Sequence, residues 1–149
     1  MSTPGSVSVS EAKLAYVLDS FALLAYFNDE PGHERVVELL TQAGQSRCRL
    51  LLCTINLGEV LYMVERHCGL TKAQHTQALI ESLPIQEVEA GRSLVLDAAH
   101  LKAGHAISYA DAFAAALAVR ETAIVLTGDP EFTSLEALLS VEWLVRATR

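Results

Sequence analysis

Four carboxylates, Asp19, Glu59, Asp111 and Asp129, are the residues of this sequence best placed to do chemistry together. Asp19 follows the apolar run 14–18 directly, and Glu59 lies about one turn into the helical stretch after the run 50–53. Asp111 opens the Ala-rich stretch that starts at Tyr109, and Asp129 stands two residues past the run 123–127. Two carboxylates ~4 Å apart repel by about 4 kcal/mol at an effective dielectric of 20. A folded domain is stable by only ~5–15 kcal/mol, so four ionised acids packed together need a counter-charge. No basic residue adjoins any of the four. Magnesium or manganese is the natural counter-ion, because hard cations take carboxylate oxygens and keep bound waters. Such an ion can polarise a phosphoryl oxygen and supply hydroxide for attack. If one fold gathers the four acids, they form a metal centre.

The elements that would gather them follow from the hydrophobic pattern. Short apolar runs predict strands at 14–18, 50–53, 85–88, 123–127 and 141–145, the third being the weakest. Helical spacing predicts helices over 20–28, 33–43, 55–68, 71–83, 90–102, 109–120 and 130–139. Breaks fall at Pro31-Gly32, Gly69 and Gly104. Strands apolar on both faces and separated by helices predict a three-layer α/β domain, its central sheet mostly parallel, with about five strands flanked by helices. In such a sheet, ligands bind outside the carboxyl ends of the strands. Asp19, Glu59 and Asp129 leave strands at that edge. The helix carrying Asp111 runs antiparallel to the strands, so its start lies at the same edge.

Each acid also has a purely structural explanation. Asp19 could cap the helix after it, and Asp129-Pro130 pairs an N-cap with proline at the first helical position. Ser108 and Asp111 have the spacing of a capping box, and Asp111 would face the positive end of the helix dipole. Glu59 could be a solvated helix residue, but 55–64 is apolar on most sides and leaves it little solvated face. Convergence on one edge is what favours the metal centre over four separate caps.

Composition bounds the function classes. The chain has 149 residues, 51% hydrophobic and 19% charged, which excludes a disordered or collagen-like chain and allows one domain with a real core. The Ser-rich segment 1–13 reads as a flexible tail and 14–149 as a single domain. Eleven Lys and Arg against eighteen Asp and Glu give a net charge of −7. So acidic a protein repels phosphate backbones unless a bound cation reverses the field locally, and it suits a basic partner. Three cysteines without CxxC spacing suggest neither a disulfide framework nor a zinc site. No apolar run reaches a membrane span and no signal-peptide core is visible, so the expected location is the cytoplasm.

Four blocks carry a resemblance to a known family: 16–25 (YVLDSFALLA), 55–60 (INLGEV), 109–116 (YADAFAAA) and 126–132 (LTGDPEF). In that order they resemble the PIN-domain family, and most closely the VapC-type toxins of toxin–antitoxin pairs, over roughly 14–147. The resemblance implies a magnesium- or manganese-dependent ribonuclease with a sheet between helices. The acids matching Asp19, Glu59, Asp111 and Asp129 would form its metal centre, and Ser20 and Thr127 would support them through hydrogen bonds. It also implies an RNA substrate, a homodimer, and a small basic antitoxin whose tail enters the site. Phe21 departs from the pattern, since many members carry a small polar residue there.

Other residues carry less. The five histidines lack metal-ligand spacing, and Tyr26, Phe27, Tyr62 and Phe113 sit at helical spacings expected of core residues. Arg92, Lys102 and Arg120 could approach phosphate but are ordinary helix cations. No GxxxxGK[ST] phosphate loop occurs. A phosphoacceptor receiver domain would want a Lys near the end of the last strand, where only Arg146 stands. A haloacid-dehalogenase-type phosphatase would want Asp-x-Asp, where the chain has Asp19-Ser20-Phe21. A PIN-like module kept only for binding RNA or protein is the non-enzymatic alternative.

Overall fold

Side chains alternate along a strand, and in this chain both faces of the central strands are covered. Strand β1 (Leu14–Leu18) sends Ala15 and Val17 to one face and Tyr16 and Leu18 to the other. Strand β2 (Cys48–Cys53) divides Leu51 and Cys53 from Leu50 and Leu52 in the same way. This two-sided burial is why these runs are almost continuously apolar. The structure, a computed structural model, describes residues 13–144; the predicted tail before Lys13 and the predicted end of the last strand at Val145 lie outside them.

Between β1 and β2 come α1 (Ser20–Phe27) and α2 (His33–Gly44). The hairpin of α3 (Thr54–Cys68) and α4 (Leu70–Ser82) leads to β3 (Gln86–Val88). Gly69, at φ +93°, makes the break between α3 and α4, a conformation that side chains with a Cβ rarely adopt. Then follow α5 (Arg92–Gly104), α6 (Tyr109–Glu121), β4 (Ile124–Thr127), a 3-10 helix (Pro130–Leu135) and β5 (Ser140–Trp143).

The five strands form one fully parallel sheet in the order β3-β2-β1-β4-β5. The chain steps from β1 outward to β3, then crosses back to β4 on the other side of β1. Right-handed crossovers therefore put α1–α4 on one face and α5 and α6 on the other. The two cores match: Leu23, Leu39, Val60 and Ile80 pack with Leu18 and Leu50, whereas Leu94, Leu117 and Phe132 pack with Val17 and Leu51. The order reverses between β1 and β4, the crevice where an open parallel sheet receives a ligand. The edge strands are short and partly exposed, with Glu87 on β3 and Glu142 on β5, which discourages further strand pairing.

Element ends differ from the sequence expectation by a residue or two, except at 130–139. There the helix is six residues of 3-10, because Phe132 and Leu135 are its buried residues and their three-residue spacing matches that helix's period. Phe113 is buried and Tyr26 and Phe27 are partly so, as expected of core residues. Tyr62 is exposed: on α3 the residues 56, 60 and 64 face inward, and Tyr62 lies on the other side. Among the described residues, no helix is long and apolar enough to cross a membrane.

Candidate metal centre

Register brings the first pair of site residues together. Leu18 pairs with Leu126, so one residue further along Asp19 meets Thr127. The buried Thr127 hydroxyl donates to Oδ2 of Asp19 and accepts the backbone N–H of Asp129 at 2.9 Å. Oδ1 of Asp19 accepts the N–H of Ala22 at 3.0 Å, so Asp19 does cap α1. Only 1% of Asp19 is exposed. Burial pushes its pKa up to about 7, against the pull of the Thr127 and Ala22 hydrogen bonds, and the nearby charges of Asp129 and Glu59 push the same way.

Asp111 enters the interior on α6, which is buried along 111–118 and is rich in alanine, so it fits closely under the sheet. Ser108 caps this helix by accepting the Asp111 N–H at 3.1 Å. A full capping box would have the Asp111 carboxylate accept the Ser108 N–H in return. That N–H instead donates to Oε1 of Glu131, at 2.9 Å, from the 3-10 helix. Glu131 thereby frees Asp111 to face the acids. Asp111 is 4% exposed, and its Oδ2 is buried without a hydrogen-bond partner. Burial first, then hydrogen bonding to Glu131 and the charge of Asp129, pushes its pKa up to about 9.

Asp129 caps the 3-10 helix, its Oδ1 accepting the Glu131 N–H at 2.9 Å. Carboxylate oxygens of Asp111, Asp129 and Glu131 lie within 4.8 Å of one another. Asp19 and Glu59 stand outside that tight group; Asp19 feels the charges of both Asp129 and Glu59, and both its oxygens are already held by protein donors. Glu59 is half-buried, with Oε1 buried and unpartnered. One turn earlier on α3, the buried Asn56 donates from Nδ2 to the Ala110 carbonyl at 3.1 Å, tying α3 to the start of α6. Ser20 opens α1 partly exposed, and its hydroxyl donates to no acid among the described residues. Phe21, the departure from the family pattern, lies against Gly128: a Cβ on that glycine would come within 2.4 Å of the ring.

The sequence reading missed Glu131 and Asn56. Glu131 was visible as a second acid two residues after Asp129 in a segment that starts at the same edge. Asn56 was visible as a polar residue one turn before Glu59 in an otherwise apolar stretch.

The donor set suits a hard divalent cation. Every candidate ligand is a carboxylate oxygen, and the buried unpartnered atoms include Asp111 Oδ2 and Glu59 Oε1, acceptors that lack a donor. The sequence profile of the PIN domain matches residues 16–138, a span that includes all five acids. The chain belongs to the PIN domain family. Solved structures agree on the fold. VapBC2 from Rickettsia felis, bound to a promoter DNA fragment, aligns with a TM-score of 0.71 at 19% identity, covering 89% of this chain and 100% of that one. VapC20 from Mycobacterium tuberculosis, a sarcin–ricin loop cleaving toxin, aligns at 0.65 and 17% identity, covering 80% and 94%. VapBC-1 from nontypeable Haemophilus influenzae aligns at 0.64 and 19% identity, covering 87% and 98%. A search of curated protein sequences finds no match.

Proposed function

We propose that this PIN domain is a magnesium- or manganese-dependent endoribonuclease and the toxin of a type II toxin–antitoxin pair. The observation that carries the reading is the group of Asp111, Asp129 and Glu131 at the β1–β4 crevice, with the buried Oδ2 of Asp111 met by no protein donor. Asp111 and Asp129 would hold the metal with Asp19, and Glu131 is positioned to join them. When bound, the ion would polarise a phosphoryl oxygen and lower the pKa of a coordinated water. Glu59, with a free buried oxygen on the neighbouring helix, would orient the attacking water and take its proton. Thr127 holds Asp19 and the Asp129 backbone in place, and Asn56 fixes the helix that carries Glu59.

The partner reading rests on charge and on the neighbours. A net charge of −7 suits a small basic antitoxin, and similar folds occur in VapBC toxin–antitoxin structures. Such an antitoxin would inhibit by bringing Arg or Lys to the acids around Asp19 and Asp111. A homodimer acting in the cytoplasm completes the proposal. The test is to incubate the purified protein with total RNA, with and without magnesium or manganese, and to map new ends. New ends that require metal support the reading. Cleavage that persists in excess chelator overturns the metal mechanism, and intact RNA in every condition overturns the ribonuclease.

A further inference from the structure

Helix α3 carries a feature that cleavage at the acids does not use. Ile55, Glu59, Tyr62 and Arg66 follow one another at spacings of four, three and four residues. At 3.6 residues per turn they fall within about 60° of arc, so they form one stripe along the helix. One turn before Glu59 on the same helix, Asn56 donates to the Ala110 carbonyl, next to Asp111, at 3.1 Å, which sets the Glu59 end of this stripe beside the acid site. Tyr62 is 49% exposed, a large ring that the core does not claim. The Arg66 guanidinium lies over it, 5.1 Å from the ring centroid. Among the described residues Arg66 enters no ion pair, although the chain has acids in excess.

From Glu59 the helix rise places Tyr62 about 4.5 Å and Arg66 about 10.5 Å along the axis. The longer distance is roughly three base steps at ~3.4 Å each. An aromatic face beside a cation is the usual means of holding single-stranded nucleic acid, since every base has a π-face and every linkage a charge. We propose that Tyr62 and Arg66 hold the RNA strand beside the acid site, Tyr62 stacking a base and Arg66 contacting a phosphate within about three nucleotides of the cleaved bond. This rests on the ribonuclease reading. It adds a local cation to an acidic protein, on a rigid helix that also carries Glu59.

Arg66 also lies in the last turn of α3, where a cation complements the helix dipole. A purely structural pair and a substrate-holding pair differ in what they change. The experiment is steady-state cleavage of a fluorescent single-stranded RNA oligonucleotide by the full chain with magnesium or manganese, beside thermal unfolding. Tyr62→Ala should raise KM about tenfold with kcat within about twofold, and Tyr62→Phe should restore it because the ring face remains. Arg66→Ala should raise KM and reduce the salt slope by about 1, with Arg66→Lys between the two. Melting temperatures should stay close to wild type, as expected for exposed positions. The proposal is overturned if wild type cleaves and both Ala variants keep its KM and salt slope. It is equally overturned if the KM effects follow lost stability and Tyr62→Phe does not rescue, or if the variants lose only antitoxin capture. Absence of cleavage by wild type itself would instead remove the ribonuclease reading, and this proposal with it.

Discussion

Thr127 donates its hydroxyl hydrogen to Asp19 across 108 residues of sequence, and the same oxygen accepts the Asp129 N–H. One buried hydroxyl therefore links the ends of β1 and β4 at the point where the strand order reverses. Thr127→Val keeps the shape and removes both partners, leaving the Asp129 N–H and an Asp19 oxygen unsatisfied. The expected cost is about 1–3 kcal/mol in denaturant unfolding. Because this hydrogen bond lowers the pKa of Asp19, its loss should also move the onset of metal-dependent cleavage to higher pH. Thr127→Ser, which keeps the hydroxyl, should recover most of both. Equal behaviour of Val and Ser would show that the hydroxyl is idle.

The raised carboxyl groups fix the sign of the pH dependence. In the unfolded chain each acid ionises near ~3.9. In the folded protein Asp19 ionises at about 7 and Asp111 at about 9. Between these values the folded state binds more protons than the unfolded one, so stability falls as pH rises. The contribution is fully present below about pH 4, and it is lost as pH climbs through about 7 for Asp19 and about 9 for Asp111. Metal-free protein should melt at lower temperature at about pH 8 than at about pH 5, and Asp111→Asn should show a flatter profile. Stabilisation by added metal should grow with pH over the same range, because the ion competes with protons for the carboxylates. Thermal unfolding in EDTA and in magnesium or manganese reads all three.

Gly128 and Phe21 form a tight contact behind the acids. A methyl group on Gly128 would lie 2.4 Å from two ring carbons of Phe21, closer than carbon atoms can approach. Gly128→Ala should therefore displace the ring or the segment leading to Asp129, at a cost of about 1–3 kcal/mol. Phe21→Ser puts a small polar side chain in place of the ring and removes the clash. The double variant should be more stable than the two single effects added together, a coupling that a double-mutant cycle in urea measures. Simple additivity would place the strain elsewhere.

The sheet was legible because β1, β2 and β4 are buried on both faces, which leaves an apolar run with no competing reading. The four acids were legible once the strands were assumed parallel, because topology alone puts Asp19, Glu59, Asp111 and Asp129 at one edge. Glu131 was hidden by a local explanation: an acid in the first turn of a helix already suits the dipole, and its contact with the Ser108 N–H spans 23 residues. The capping-box spacing of Ser108 and Asp111 misled for the same reason, since a distant acid took the place of the near one. Tyr62 was readable in principle. It lies about 200° around α3 from the inward-facing Val60 and on the same side as Glu59.

Asp129 and Glu131 allow capping and metal binding to be separated by charge alone. Asp129 Oδ1 accepts the Glu131 N–H, and Glu131 Oε1 accepts the Ser108 N–H. Asn and Gln offer an amide oxygen in the same places, so Asp129→Asn and Glu131→Gln should keep both hydrogen bonds. Each change removes one negative charge from a group of carboxylates whose oxygens lie within 4.8 Å. Two charges ~4 Å apart repel by about 1 kcal/mol even in a water-like medium, so metal-free Asp129→Asn should be more stable than wild type near neutral pH. Metal at about 100 times its Kd should add about 2.7 kcal/mol to wild type and much less to Asp129→Asn, since binding favours only the folded state. Cleavage by Asp129→Asn should fall at least about a hundredfold, as loss of a ligand outweighs loss of an outer partner. Glu131→Gln decides whether the fifth acid is a ligand: a matching loss of metal stabilisation makes it one, and wild-type stabilisation with unchanged cleavage leaves it only the cap of α6. If Asp129→Asn lowers metal-free stability and cleaves RNA normally, Asp129 is a cap and the metal centre is misplaced.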